Sequence, residues 1–307
     1  MASVVANVGI VLTGGVVRLT GSGLGCPTWP SCTDDSYTPT AAYAEHGLIE
    51  FGNRMLTFVV GAIALATLIA VLRHGRPALV ALGIVAFAGI PAQGVLGGIT
   101  VLTGLNPWTV GAHFLVSMGI IAVTTVLAWR AARPADGPSR PVVNAALVTL
   151  GRALVAVTAV VLALGTVVTG SGPHSGDADV GRTGLDPEMV SQLHADAVML
   201  LVGLTVAAVL WLRGVGAPAG AVRAAWVLLW VELAQGAIGF VQYFTGLPVL
   251  LVALHLLGSC LAWIAALRLL LSLSERAALP AAADPSRAGD APAQPEPAPA
   301  PAPVPAG

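Results

Sequence analysis

The chain has 307 residues, of which 56% are hydrophobic and 9% are charged, and its mean hydropathy is +0.85. A soluble domain of this size does not reach such values, which excludes soluble enzymes and soluble nucleic-acid-binding proteins and predicts a polytopic membrane protein. The net charge of -1 identifies no partner, so composition alone predicts only that membrane lipid surrounds the chain.

Eight apolar stretches are long enough to cross a bilayer as helices, at about 20 residues for each crossing. The first stretch lacks a cleavage pattern and is expected to stay as a helix. It is short and has no basic flank, which favours a start codon upstream of Met1. The stretches cover residues 2–19, 46–72, 77–98, 108–131, 143–169, 189–212, 220–243 and 249–273.

The arginines predict how the chain is oriented, because basic residues are enriched in cytoplasmic loops. The chain contains no lysine, and its arginines cluster after the second, fourth, sixth and eighth stretches. Arg182 instead lies in an acidic loop on the opposite side. We therefore predict that both termini are cytoplasmic. The clustered residues are Arg73, Arg76, Arg130, Arg133, Arg140, Arg213, Arg223, Arg268 and Arg276.

The first outer loop, GLGCPTWPSC, contains Cys26 and Cys32 with two prolines between them. The short spacing and the oxidising outer compartment favour a disulfide between these cysteines. A metal-binding pair or two free thiols are the alternatives, since the spacing alone is a weak signal.

The second stretch opens with EHGLIEFGNR, which places three polar side chains on one helical face. His46, Glu50 and Asn53 stand at positions i, i+4 and i+7, and buried ionisable groups in a membrane are expected to face the bundle interior. Glu50 could relay protons or stabilise a developing cation. It could also pair with Arg54, four residues on, and the two roles are compatible.

The chain repeats itself. Residues 92–116 correspond to residues 234–258, with Gln93 and Gln235, and His113 and His255, each 142 positions apart. A similar step of 141 positions from His194 reaches Asn53. The repeat predicts two tandem, pseudo-symmetric four-helix bundles. We expect an N-terminal half at 1–131, a cytoplasmic linker at 132–142, a C-terminal half at 143–276 and a disordered Ala/Pro-rich cytoplasmic tail at 277–307.

Four histidines fall within about two turns of the outer starts of their helices. They are His46, His113, His194 and His255. Two histidines on facing helices of a bundle can hold a heme by both axial positions, and we favour this for His194 and His255. A zinc site would need further ligands that neither half offers. The remaining alternative is that each histidine is a hydrogen-bonded interior residue.

Arg18 and Arg54 lie at the predicted outer rim, where the charge rule does not place basic residues. An anionic group such as a heme propionate could hold them there. The alternative is that both arginines contact lipid headgroups.

Several motifs together resemble the heme A synthase family of bacteria and mitochondria: GGVVRLTGSGLGCPTWPSC, IEFGNR and QGVLGGITVLTGLNPWTVGAHF, with His194 and His255 in the second half. The resemblance covers about residues 10–260. It implies an eight-helix membrane enzyme that converts the C8 methyl group of heme O to the formyl group of heme A through an alcohol.

The resemblance also implies roles for individual residues. His194 and His255 look like the axial ligands of a bound heme b, and His113 looks like a ligand of the substrate heme. Glu50 matches the catalytic acidic residue, and the cysteines of the first outer loop match a family pair. Asn53 departs from the family, which commonly has histidine there, so the second axial position of the substrate heme is open, bound by Asn53, or filled by His46.

Two other functions fit parts of the pattern. A di-heme b-type electron-transfer protein would not modify heme and would be expected to have two symmetric histidine pairs, whereas Glu50 and Asn53 make the halves unequal. A transporter would use the imidazoles to relay protons and would bind no heme. The enzyme is therefore preferred, with heme sites toward the outer face of the cell membrane. Its candidate partners are a heme O synthase, an electron donor and a second copy of the chain.

Overall fold

The computed structural model describes residues 1–133, 137–174, 176–177 and 179–276. Within these residues the chain forms eight long helices, each apolar and long enough to cross a membrane. The prediction of eight membrane-spanning helices is thereby confirmed. The helices are α1 (Ala2–Leu19), α2 (Ala44–His74), α3 (Pro77–Leu102), α4 (Pro107–Ala131), α5 (Ala145–Ser171), α6 (Pro187–Gly214), α7 (Ala219–Phe244) and α8 (Val249–Ser272).

The ends of the helices follow from local sequence. Asn106, Asn144 and Asp186 cap α4, α5 and α6, because each side chain accepts a hydrogen bond from a backbone N–H in the first turn. Helices α3, α4 and α6 each have proline at the first helical position, where a missing N–H does no harm. Gly75 ends α2 in the left-handed conformation, with φ of 68°.

Contacts between the helices form two closed rings. In the first half α1 contacts α2, α2 contacts α3, α3 contacts α4, and α4 contacts α1. Helices α5 to α8 repeat this order, and α1, α4, α5 and α8 form the boundary between the halves. This arrangement is consistent with the predicted pair of four-helix bundles.

The packed core of the second half lies at one end of its bundle. Its buried residues come from the first half of α5, the second half of α6, the start of α7 and the end of α8. They include Leu154, Leu212, Leu228 and Leu269. Because the helices alternate in direction, this core lies at the end opposite to His194 and His255.

Hydrogen bonds join the halves at different depths. The indole Nε1 of Trp263 on α8 donates to the backbone oxygen of Met118 on α4, at 2.9 Å. Nearer the end of α1, Arg18 Nη2 donates to the Thr169 carbonyl on α5, at 2.7 Å. The helices that carry His113 and His255 are therefore fixed to each other.

The predicted linker is not featureless. Ser139–Pro141 forms a short strand, β1, that pairs antiparallel with β2 (Ser274–Arg276), which directly follows α8. The connection between the halves and the end of the last helix therefore lie on the same side of the molecule, and the helical fold carries one small sheet. The predicted disordered tail, 277–307, lies outside the described residues.

Candidate heme-binding site

Each predicted ligand position faces a glycine on the preceding helix. A Cβ added to Gly97 on α3 would lie 3.4 Å from Cε1 of His113 on α4. The same holds for Gly165 and His194, at 3.3 Å, and for Gly239 and His255, at 3.5 Å. Because glycine has no side chain, each imidazole can approach the backbone of the neighbouring helix closely. We call each such pair a glycine cradle.

In each of these histidines, one ring nitrogen is buried but makes no hydrogen bond among the described residues. Nδ1 of His113, His194 and His255 is buried without a hydrogen-bond partner among the described residues. Nε2 of the same rings is not among these buried, unpaired atoms. Buried polar atoms are normally hydrogen-bonded, so three identical exceptions at equivalent positions point to a common function.

In the second half, the two predicted heme ligands lie on different helices. His194 lies on α6 and His255 on α8, which are opposite members of the ring of helix contacts. Two imidazoles from opposite helices suit a heme held by both axial positions.

In the first half, the equivalent of His194 is Asn53. A Cβ on Gly14 of α1 would lie 3.8 Å from Asn53 Nδ2. The side chain of Asn53 therefore also lies beside a glycine of the preceding helix, and we count this pair as the fourth cradle although it holds an amide. Asn53 Oδ1 accepts a hydrogen bond of 2.7 Å from the Thr13 hydroxyl. No hydrogen bond within the described part of the chain joins His113 to Asn53 or His46. Which group, if any, is the second axial ligand of the substrate heme therefore stays a prediction.

His46 lies outside the cradle. Its side chain is exposed, and its Nδ1 is 2.9 Å from the Ser22 hydroxyl at the end of α1. The hydrogen-bond partners of Asn53, His46 and Glu50 outside α2 are Thr13, Ser22 and Cys26. The three side chains therefore lie on the same side of α2, which faces α1 and the loop after it.

The predicted disulfide between Cys26 and Cys32 is present, and both cysteines are fully buried. Glu50, 5% exposed, accepts a hydrogen bond of 2.7 Å from the Cys26 N–H through Oε2. Its other oxygen forms an ion pair of 2.6 Å with Arg54. The structure thus contains the predicted pairing of Glu50 with Arg54, and it attaches that pair to the disulfide loop.

Arg54 holds the same loop through its guanidinium group. Nη1 donates to the carbonyls of Thr28 and Ser31, both at 3.1 Å. Nη2 donates to those of Cys26 at 2.8 Å and Thr28 at 3.0 Å, and Nε donates to Glu50 at 3.2 Å. Every guanidinium nitrogen of Arg54 is therefore engaged within the protein. We call Glu50, Arg54 and residues 26–32 the loop clamp.

The loop clamp reaches the first-half site through Trp29. A Cβ on Gly98 of α3 would overlap the Trp29 ring, while the preceding Gly97 faces His113. The indole and the imidazole therefore pack on two consecutive glycines of one helix. The equivalent of Gly98 in the second half, 142 positions on, is Phe240, which is 55% exposed. The disulfide loop is thus a feature that distinguishes the two halves.

Sequence reasoning did not identify the cradles, although the spacing of Gly97 and Gly239 equals that of His113 and His255. It also missed Glu232 on α7, which is 3% exposed and accepts a hydrogen bond of 2.9 Å from the Thr205 hydroxyl. Oε2 of Glu232 is buried without a partner among the described residues. The sequence did contain a signal for Glu232, because a single carboxyl in a long apolar helix indicates a functional or structural site.

The fold defines a multi-pass membrane protein, in which three of the predicted heme ligands pack against glycines of neighbouring helices. A family model described as COX15-CtaA, cytochrome oxidase assembly protein, matches residues 1–174. The chain belongs to this family, and the family predicted from the motifs is thereby confirmed. His194 and His255 lie beyond the matched residues, so their roles do not follow from that match.

Three similar proteins illustrate the relationship. The heme A synthase of Geobacillus thermodenitrificans is 32% identical over 143 residues, which cover 45% of this chain and 44% of that protein. The heme A synthase of Alkalihalophilus pseudofirmus is 33% identical over 141 residues, 43% and 46% of the two chains. The protoheme IX farnesyltransferase of Haloarcula marismortui is 32% identical over 122 residues, 39% of this chain and 25% of that one. The chain thus spans less than half the length of the heme A synthases that it matches.

Proposed function

We propose that the chain is a heme A synthase, which oxidises the C8 methyl group of heme O to a formyl group through an alcohol. Its family membership and the relatives named heme A synthase support this reaction. The observation that carries the proposal is the repeated glycine cradle, in which an imidazole packs against the backbone of a neighbouring helix. Nε2 of that imidazole would bind the iron.

In the second half, His194 and His255 would hold heme b through Nε2. The residues fit this group, because a six-coordinate heme needs two ligands on opposite sides and these histidines come from opposite helices of one ring of contacts. Gly165 and Gly239 would set the orientation of the imidazoles, because each ring packs against the helix at its glycine. When bound, heme b would supply electron transfer.

In the first half, His113 would bind the iron of the substrate heme. Glu50 would stabilise positive charge or move protons near the reacting methyl group. Arg18, whose Nε is buried without a partner among the described residues, is the better candidate for a propionate contact. Arg54 is the weaker candidate, because the loop clamp engages all of its nitrogens.

We further propose that both termini are cytoplasmic and that the heme sites lie toward the outer face of the membrane. The arginine distribution supports this orientation. Similarity to proteins named protoheme IX farnesyltransferase supports a functional link to the enzyme that makes the substrate. An electron donor and self-association are further proposed partners.

The test is to express the full chain in cells that make heme O and to separate the extracted hemes by chromatography. We expect heme A or its alcohol precursor only in cells with the intact gene. Unmodified hemes alone, bound to well-folded protein, would contradict the synthase and support the electron carrier. Purified protein without any heme would contradict both and leave the transporter.

A further inference from the structure

Three of the four glycine cradles hold histidine, and the fourth holds Asn53. We propose that Asn53 leaves one axial position of the first-half heme open, so that its iron is bound by His113 alone and takes a small exogenous ligand. This inference rests on the proposed binding of heme O in the first half. It deepens that function by naming the ligand class of the open position.

Asn53 occupies the position at which a second protein ligand would have to lie. It stands 141 residues before His194. A Cβ on Gly14 would lie 3.8 Å from its Nδ2, a looser contact than the 3.3 Å between Gly165 and His194. In the second half, the opposite cradles supply two imidazoles to one site. The same construction in the first half supplies one imidazole and one amide.

The amide of Asn53 is a poor substitute for imidazole. Its nitrogen has no lone pair to give to iron, so only Oδ1 could bind a metal. That oxygen already accepts the hydrogen bond from the Thr13 hydroxyl. The side chain of asparagine is also shorter than that of histidine. Asn53 therefore borders the axial position without filling it.

His46 cannot take the place of a cradled ligand without a rearrangement. It precedes Asn53 by seven residues, which corresponds to about 10 Å along a helix. Its ring is exposed, and its Nδ1 is within hydrogen-bonding distance of Ser22. His113, by contrast, is fixed against Gly97. An iron at the level of His113 and Asn53 therefore lies away from the His46 ring.

The open position would accept a small ligand with hydrogen-bonding capacity. The Thr13 hydroxyl and the Asn53 amide are the polar groups beside it, and both can bond to water. Water would occupy the position in the ferric protein, and carbon monoxide is the probe for the ferrous one. Heme b between His194 and His255 would bind neither, because both of its axial positions are filled.

The experiment uses the full chain purified with both hemes bound, reduced with dithionite and exposed to carbon monoxide. We expect the optical spectrum to shift for about half of the heme, since one of two irons would be five-coordinate. Asn53→Ala should keep this response, because Asn53 is not a ligand. Asn53→His should abolish it while the heme content stays unchanged, because a histidine completes the fourth cradle.

The outcomes separate this inference from the proposed function. If both hemes are bound and neither binds carbon monoxide, the proposal of an open axial position is wrong, while the proposed synthase function is unaffected. A response that appears only in His46→Ala would identify His46 as the missing ligand and also overturn it. Protein that binds no heme in the first half would overturn the proposed function itself and, with it, this inference. The carbon monoxide response of the unmodified chain tests the open position directly, so the test stands even if Asn53→His does not fold.

Discussion

Glu50 combines a structural contact with a proposed catalytic role, and the two can be separated. Its carboxylate binds the Cys26 N–H and pairs with Arg54, so the charge is held at one place beside the disulfide loop. A carboxylate that only anchored the loop would be replaceable by any change that keeps the loop closed. A carboxylate that acts on the substrate would not be replaceable in this way.

Glu50→Gln should lower heme A formation by about 100-fold or more, because it removes the charge and proton-accepting capacity near the methyl group. Heme b should stay bound, since its ligands lie in the other half. The measurement is the ratio of extracted heme A to heme b.

Arg54→Gln is the matched control, because it removes the other side of the same ion pair. We expect this variant to lose less activity than Glu50→Gln while loosening the same loop. Equal losses in the two variants would mean that Glu50 acts only through the loop clamp.

At the scale of single elements, the glycine cradles predict which substitutions on α7 the heme site tolerates. Gly239→Val places methyl groups against the His255 ring, and overpacking of this kind costs about 1–3 kcal/mol. We expect loss of heme b absorbance from protein that still folds into its eight helices.

Gly236→Val is the matched control, because it lies one turn earlier on α7 and a Cβ there has no neighbour within 4 Å. It should keep heme b at the level of the parent chain. If both variants keep or both lose heme b, the cradle has no special role. Circular dichroism verifies that the helices are intact in each case.

The disulfide should stabilise the closed form of the loop between α1 and α2. Replacing Cys26 and Cys32 together by serine should destabilise the closed loop by about 2–3 kcal/mol, the scale expected for a short cross-linked loop. Backbone amides of the loop should then exchange with deuterium faster, and those of α5 to α8 should not. Exchange rates measured by mass spectrometry check this result. Unchanged exchange in the loop would mean that the loop clamp alone holds it closed.

At the scale of the whole molecule, orientation in the membrane is directly measurable. Asp35 lies in the loop between α1 and α2, and His74 lies at the opposite end of α2; both are exposed. Asp35→Cys should react with a membrane-impermeant maleimide in intact cells, and His74→Cys only after permeabilisation. The native cysteines give little background, since Cys26 and Cys32 are cross-linked and Cys260 is buried. The reverse labelling pattern would contradict the cytoplasmic termini.

Much of the architecture could be predicted from the sequence, because membrane helices need long apolar stretches and repeats show in residue spacing. The eight spans were predicted from the apolar stretches, and the disulfide from the short spacing of its cysteines; both predictions are confirmed. The contact between Trp29 and Gly98 could not be predicted, since it joins a loop to a helix about 70 residues away. The pairing of Ser139–Pro141 with Ser274–Arg276 joins residues still farther apart. Neither contact has a periodic signal in the sequence.

The central claim is that a duplicated bundle uses cradled histidines to hold heme iron. The most direct test is the low-spin iron signal, by electron paramagnetic resonance, of purified full chain with its bound heme. We predict that His194→Ala and His255→Ala each abolish this signal, while His74→Ala, at the exposed end of α2, retains it. An unchanged low-spin signal in both site variants would contradict the claim.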